Sequence, residues 1–254
     1  MPLLQIDNLG VRFGGLAALS GFCFSLDVGQ LVGLIGPNGA GKTTAFNLVT
    51  GVYRPSEGSI RLDGRSIAGL PPYRINRLGI ARTFQNIRLF AGLSVVENVL
   101  VGFNQSISHG FWGTILRTPA HLREDAAHEA AAMDLLRVLR LDALAHEAAG
   151  SLPYGSQRRL EIARALATRP RVLLLDEPAA GMNPREKAEL MDLIALIRER
   201  FKLGIWLIEH DMKLVMSICE RIHVLDHGET ICVGPPKTVQ EDPAVIEAYL
   251  GEPL

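Results

Sequence analysis

Residues 30–52 read QLVGLIGPNGAGKTTAFNLVTGV, and the order of features within them decides the fold class. QLVGLIG, at 30–36, is a short apolar run without polar alternation, the pattern of a strand buried on both faces. A glycine-rich turn follows, and then KTTAFNLVTGV, a short helix ended near Gly51. Within the turn Gly36, Pro37, Asn38, Gly39, Ala40, Gly41, Lys42 and Thr43 match G-x-x-x-x-G-K-[ST], and Thr44 comes next. Glycines there let backbone N–H groups converge on phosphate oxygens, with the positive end of the helix behind them. Lys42 can reach the β- and γ-phosphates of a nucleotide, and Thr43 offers a hydroxyl to Mg²⁺. Read alone, the segment is also compatible with a plain connector. The strand before it and the helix after it turn the pattern into a phosphate site.

Two more apolar runs end in groups that suit such a site. VLLLDEP, at 172–178, puts Asp176 and Glu177 at the carboxyl end of a buried strand, the edge where parallel sheets bind ligands. Asp176 suits holding Mg²⁺ through water, and Glu177 suits polarising an attacking water as general base. A solvated acidic turn is the other reading of this segment alone. GIWLIEH ends on His210, which the same edge rule turns toward the same cleft, although an isolated histidine is more often structural. Gln85, in RTFQN, is an amide able to bind Mg²⁺ or a water, and local chemistry does not separate it from a loop glutamine. Phe13, in VRFGGLAAL, is able to stack on a base, but taken in isolation it reads better as a packing aromatic.

The bulk properties limit the function classes. The chain has 254 residues, 48% hydrophobic and 21% charged, enough for one large α/β domain or two small ones. A net charge of -1 gives no basic field for nucleic acid. Cys23, Cys219 and Cys232 form no C-x-x-C pair, so neither a disulfide framework nor a zinc site is expected, and a reducing cytosol is the simpler reading. MPLLQIDNLG lacks a basic, apolar leader pattern, and no run approaches the ~18 apolar residues of a membrane span.

Residues 3–8 and 22–28 alternate as antiparallel strands do, with a further small strand pair around Asp63 and Gly64. Ser94 followed by Glu97 is a capping-box pattern at a helix start. Residues 104–122 read as a loop or broken helix, and 124–140 as a helix. Asn183 as N-cap, Pro184 at N1 and Gly204 as stop frame a long helix. A helix near 211–220, a hairpin IHVLDHGETICVG and a closing helix complete an α/β pattern with a mainly parallel core. The helix-rich middle, roughly 86–168, reads as an insertion.

These motifs in this order resemble an ATP-binding cassette protein over nearly the whole chain. More narrowly, GIARTFQNIRLFAGLSVVENVLVG, DEPAAGMNP, EHDMKLVMSICERIHVLDHGETICVGPP and DPAVIEAYLG are similar to the ATPase subunit of branched-chain amino-acid importers. The resemblance implies one nucleotide-binding domain over 1–254, with a RecA-like, mainly parallel core sheet, an N-terminal antiparallel β subdomain and an inserted helical subdomain. It implies ATP and Mg²⁺ as cofactors and assigns Phe13 to the adenine, Gly36–Thr44 to the phosphates, and Thr43, Gln85 and Asp176 to the metal. Glu177, His210 and Gln85 become the catalytic set. Leu152, Pro153, Tyr154, Gly155, Ser156 and Gln157 take the place of the signature that meets a partner's ATP. Gly181, Met182 and Asn183 take the place of the D-loop.

The implied partners are a second, homologous ATPase subunit docked head to tail, two transmembrane permease subunits and, indirectly, an extracytoplasmic substrate-binding protein, with no nucleic acid. The implied location is the cytoplasmic face of the inner membrane. Urea or amide import, lipopolysaccharide export and a cytosolic cassette ATPase are the alternatives. The chain departs from the wider family at the signature, where Pro153 stands in place of a serine whose hydroxyl a proline cannot supply. It departs again at the D-loop, where Asn183 stands in place of an aspartate.

Overall fold

The computed structural model describes residues 2–106 and 119–250. In chain order the elements are β1 (Leu4–Phe13), β2 (Leu16–Leu26), β3 (Leu31–Ile35), α1 (Lys42–Val49), β4 (Glu57–Leu62), β5 (Arg65–Ser66), α2 (Pro72–Leu78), β6 (Ile80–Arg82) and α3 (Val95–Phe103). Then follow α4 (Pro119–Val138), α5 (Tyr154–Ala167), β7 (Val172–Asp176), α6 (Pro184–Phe201) and β8 (Gly204–Ile208). The chain closes with α7 (Met212–Ile218), β9 (Arg221–Asp226), β10 (Glu229–Gly234), α8 (Pro236–Glu241) and α9 (Pro243–Leu250). The chain divides into two units: residues 1–85, 171–180 and 191–254 form one, and residues 86–170 and 181–190 the other.

The first unit carries two sheets. Strands β3, β7 and β8 are buried at every residue, which is why they read as unbroken apolar runs. They belong to a six-stranded sheet of order β10-β9-β3-β8-β7-β6, parallel except for the β9–β10 hairpin. The four-stranded sheet, β2-β1-β4-β5, is antiparallel throughout. Core residues join the two: Trp206 of β8 stacks on Phe24 of β2 with centroids 4.0 Å apart and meets Phe46 of α1 edge-on at 4.8 Å. Strands β1 and β2 run longer than the alternating stretches 3–8 and 22–28. Register shifts between Ile6 and Arg12 break the period of two, so alternation understates the paired length. Strand β6 and helix α2 carry no periodic signal because each is too short to show one.

The second unit is helical. Helix α3 opens with the expected capping box: Ser94 Oγ accepts from the Glu97 N–H, and Glu97 Oε2 accepts from the Ser94 N–H at 2.7 Å. Asn98, fully buried on this helix, donates its amide to the carbonyls of Phe90 and Ser94. Such a side chain is tolerated inside because its donors are used. Helix α4 begins at Pro119, within the stretch read as a loop or broken helix, while residues 107–118 lie outside the described part of the chain.

Candidate functional site

The parallel sheet places the site. In the contiguous strands β9-β3-β8-β7-β6, each strand delivers a polar segment at its carboxyl end. Gly36–Thr43 follows β3, Glu209–His210 follows β8, Asp176–Glu177 closes β7, and Gln85 lies three residues past β6. Segments remote in sequence therefore stand side by side on one edge. From these segments Asn38–Thr44, Gln85, Glu177 and His210 line one cleft of about 450 Å³, while Gly36, Pro37 and Asp176 stand outside its lining.

Gly36 and Gly41 show why the turn has its composition. A Cβ on Gly36, whose φ is 147°, would stand 2.0 Å from the Leu225 carbonyl oxygen. A Cβ on Gly41, at φ 100°, would stand 2.9 Å from the Ala18 carbonyl oxygen. Only glycine lets the backbone take this path between β2, β9 and α1. Lys42 is 6% exposed and its Nζ donates to the carbonyls of Gly36 and Pro37, at 2.6 and 2.7 Å. The ammonium thus sits against the turn, with the amino end of α1 adding positive potential. Thr43, one residue on, is exposed to the cleft.

Glu177 is the centre of the other half. Its Oε2 accepts from Gln85 Nε2 at 2.7 Å, and its Oε1 lies 2.6 Å from His210 Nε2, where the Nε2–H tautomer donates. Its φ is 46°, the left-handed region that non-glycine residues seldom enter, and its N–H donates to the Ile208 carbonyl at 2.9 Å. Asp176, 3% exposed, is engaged differently: Oδ2 accepts from Arg82 Nη2 at 2.7 Å. The same guanidinium donates through Nη1 to Asn47 of α1 at 2.6 Å and lies over the rings of Phe46 and Phe84. Arg82 therefore ties the acid of β7 to the helix that begins with Lys42. Sequence reasoning missed it because a buried arginine looks like any surface arginine until its partners are known.

The metal-type donors here are oxygens, from Thr43, Asp176 and the amide of Gln85, which is the ligand chemistry of Mg²⁺. Among the described residues no cluster of three or more His, Cys, Asp or Glu forms a protein-only metal cage, and an ion that takes much of its shell from phosphates and water needs none. Phe13 is placed apart from the cleft lining: it is half-exposed at the end of β1 and meets the Tyr53 ring edge-on at 5.0 Å. Leu16, Ala17 and Ala18 of the next strand line the cleft instead.

The segments 152–157 and 181–183 belong to the helical unit. Pro153 is the N-cap of α5, and its carbonyl accepts from the N–H groups of Ser156 and Gln157. Tyr154 Oη accepts from Arg158 Nη2 at 3.0 Å, and Arg158 pairs with Glu161 at 3.1 Å, both 2% exposed. Gln157 Nε2 donates to the Leu152 carbonyl at 2.8 Å, and Ser156 Oγ accepts from Arg159. Any side chain on Gly181, at φ 75°, would meet the Tyr154 ring at 3.5 Å. Met182 is buried beside it in the chain. Asn183 caps α6, accepting from the Glu186 N–H at 3.0 Å while Glu186 accepts from the Asn183 N–H at 2.9 Å. An aspartate here would cap equally well, so the asparagine removes a charge without losing the cap.

Comparison with known proteins agrees with this geometry. The ABC transporter family model matches residues 19–180, and a model described as branched-chain amino acid ATP-binding cassette transporter matches residues 229–253. The chain is 48% identical, over 99% of its length and 98% of the relative's, to the high-affinity branched-chain amino acid transport ATP-binding protein BraF of Pseudomonas aeruginosa. The same identity and coverage hold for LivG of Escherichia coli, which carries the same description. A crystal structure of an ABC transporter's ATP-binding cassette in its ADP conformation superposes with TM-score 0.86 at 30% identity, covering 99% of this chain and 100% of the other. A strand, glycine-constrained turn and helix, acids at the next strand ends and these matches along nearly the full chain lead to one statement: the chain belongs to the ABC transporter family, as one of its ATP-binding ATPase subunits.

Proposed function

We propose that the chain hydrolyses Mg²⁺–ATP to drive import of branched-chain amino acids through a membrane complex in which it is one of two ATPase subunits. The observation that carries the hydrolytic part is Glu177, held by both carboxylate oxygens between Gln85 and His210 in the cleft that contains Lys42 and Thr43. In this reading Gly36–Thr44 and the amino end of α1 hold the phosphates, and Lys42 turns its ammonium from the Gly36 and Pro37 carbonyls to the β- and γ-phosphates. Thr43, Gln85 and Asp176 hold Mg²⁺, which supplies charge neutralisation on the phosphate oxygens when bound. Glu177 takes a proton from the attacking water, and His210 fixes the carboxylate. Phe13 stacks on the adenine.

Residues 1–254 serve as one nucleotide-binding domain with a helical subdomain at roughly 86–168. Leu152–Gln157 offers the Gly155 N–H and the start of α5 to the ATP held by the second ATPase subunit, docked head to tail, with Gly181–Asn183 at the same seam. Pro153 leaves the backbone of this edge to do the binding. Two permease subunits supply the membrane path, and a substrate-binding protein outside the cell supplies the amino acid. That no helix among the described residues is long and apolar enough to cross a membrane fits a chain held peripherally on the cytoplasmic face. The amino-acid assignment is supported by the 48% identity to subunits named for that transport.

The test is Glu177→Gln in the assembled transporter. Steady-state hydrolysis falls by about 10²–10⁴-fold while ATP binding is retained. Hydrolysis at the unmodified rate would remove Glu177 from the role of base.

A further inference from the structure

Glu209 immediately precedes His210 at the end of β8 and is 4% exposed. Its two carboxylate oxygens serve two loops. Oε1 accepts from the Ala179 N–H at 2.7 Å, and Oε2 accepts from the His210 N–H at 3.2 Å. Ala179 lies two residues past Glu177, in the turn that Glu177 enters with its left-handed φ of 46°. That turn is therefore fastened to the end of β8 at two points, by the Glu177 N–H on the Ile208 carbonyl and by the Ala179 N–H on Glu209.

Burying a carboxylate is costly unless its oxygens are hydrogen-bonded, and burial does push the Glu209 carboxyl above its ordinary range, with Glu177 adding to the rise. The Ala179 and His210 N–H groups oppose that shift and favour the charged form. An apolar side chain would fill the same place without this cost, but it would leave both N–H groups without an acceptor.

We propose that Glu209 is a positioning residue for hydrolysis: its carboxylate clamps the turn that carries Glu177 to the backbone of His210. The clamp holds the Glu177 carboxylate at the distances where both Gln85 and His210 reach it. The inference rests on the reading of Glu177 as the base. It adds a residue outside the lining of the cleft, whose contribution runs through the orientation of that base.

The experiment compares Glu209→Ala and Glu209→Gln with Glu177→Gln, each in the full chain assembled in its transporter. Kinetics and equilibrium ATP binding are both read. Glu209→Ala lowers kcat by about 10–100-fold, the scale of a misplaced catalytic group, with KM and ATP affinity within about twofold of the unmodified protein. Glu209→Gln recovers part of kcat, because the amide oxygen accepts one of the two N–H groups while its NH₂ opposes the other. An unmodified kcat in Glu209→Ala overturns the clamp, as does a loss of ATP affinity that matches the loss of kcat and is not relieved by glutamine. Should the alanine variant not fold, the near-isosteric glutamine variant decides: a lowered kcat at constant KM supports the clamp and an unmodified kcat overturns it. Hydrolysis by Glu177→Gln at the unmodified rate removes the base reading. An inert Glu177→Gln beside fully active Glu209 variants removes the clamp alone.

Discussion

Each unit of the molecule contains a buried arginine–carboxylate pair, and the two pairs are built in opposite ways. Arg82 and Asp176 lie 94 residues apart and meet only because β6 and β7 are neighbours in the sheet. Arg158 and Glu161 stand three residues apart on α5, so one turn of helix brings them together. The first pair binds α1, through Asn47, to the strand that ends in Asp176, immediately before Glu177. The second organises the start of one helix, through Tyr154. Sheet topology thus joins groups from distant parts of the chain, and helix periodicity joins groups within a single turn.

The largest expected effect that breaks this comparison is the Glu177→Gln loss of hydrolysis described above. Next come the pairs themselves. Arg82→Leu and Arg158→Leu each remove the arginine from a buried arginine–carboxylate pair, a loss of about 3–5 kcal/mol in urea unfolding. They part in their effect on the ligand: Arg82→Leu also weakens binding of Mg²⁺–ATP by the isolated chain, whereas Arg158→Leu leaves that affinity unchanged. Equal loss of ATP affinity in both would show that the pairs are not functionally distinct.

Lys42→Ala removes a charge-assisted contact and weakens ATP binding by about 1.5–3 kcal/mol, roughly 10–150-fold, as isothermal titration would read it. The matched change at the other edge, Tyr154→Phe, removes the hydroxyl that accepts from Arg158 Nη2 and leaves ATP affinity where it was.

The last effect concerns acid stability, spread over a wide pH range, and belongs to the sheet unit. His223, 4% exposed between the rings of Phe22 and Phe24, has neither ring nitrogen hydrogen-bonded. Burial, with Arg221 nearby, pushes its pKa down to about 4 from the ordinary 6.5. The unfolded chain therefore takes up the proton first. Stability is full above the unfolded pKa and falls as pH drops from 6.5 toward 4, by about 1.4 kcal/mol per pH unit. His223→Phe should flatten that stretch of the curve, and an unchanged slope in denaturant titrations across it would exclude His223 as the source.

Several features were legible from local pattern. The strand–turn–helix around Gly36–Thr43, the Ser94–Glu97 capping box, the Asn183 cap and the all-buried strands each involve residues within a few positions of one another. Others left no trace. The three residues of β6 are too few to show a period, yet they set Arg82 against Asp176 and Gln85 near Glu177. Arg82, Glu209, Arg158 and Glu161 are written like surface charges, and only their burial distinguishes them. The length of β1 was understated for a related reason, since its bulges move side chains off the alternating face.

By itself the sequence determined the glycine turn before α1, the acids at the strand end and the caps, because hydrogen bonding and chain geometry settle those over a turn or two. Which strand lies beside which was decided by the tertiary structure alone. Strand order brought Gln85 onto Glu177 across 92 residues and His210 onto it across 33. No local propensity encodes that meeting. It follows from packing fully apolar strands into one sheet whose carboxyl edge must gather every polar end.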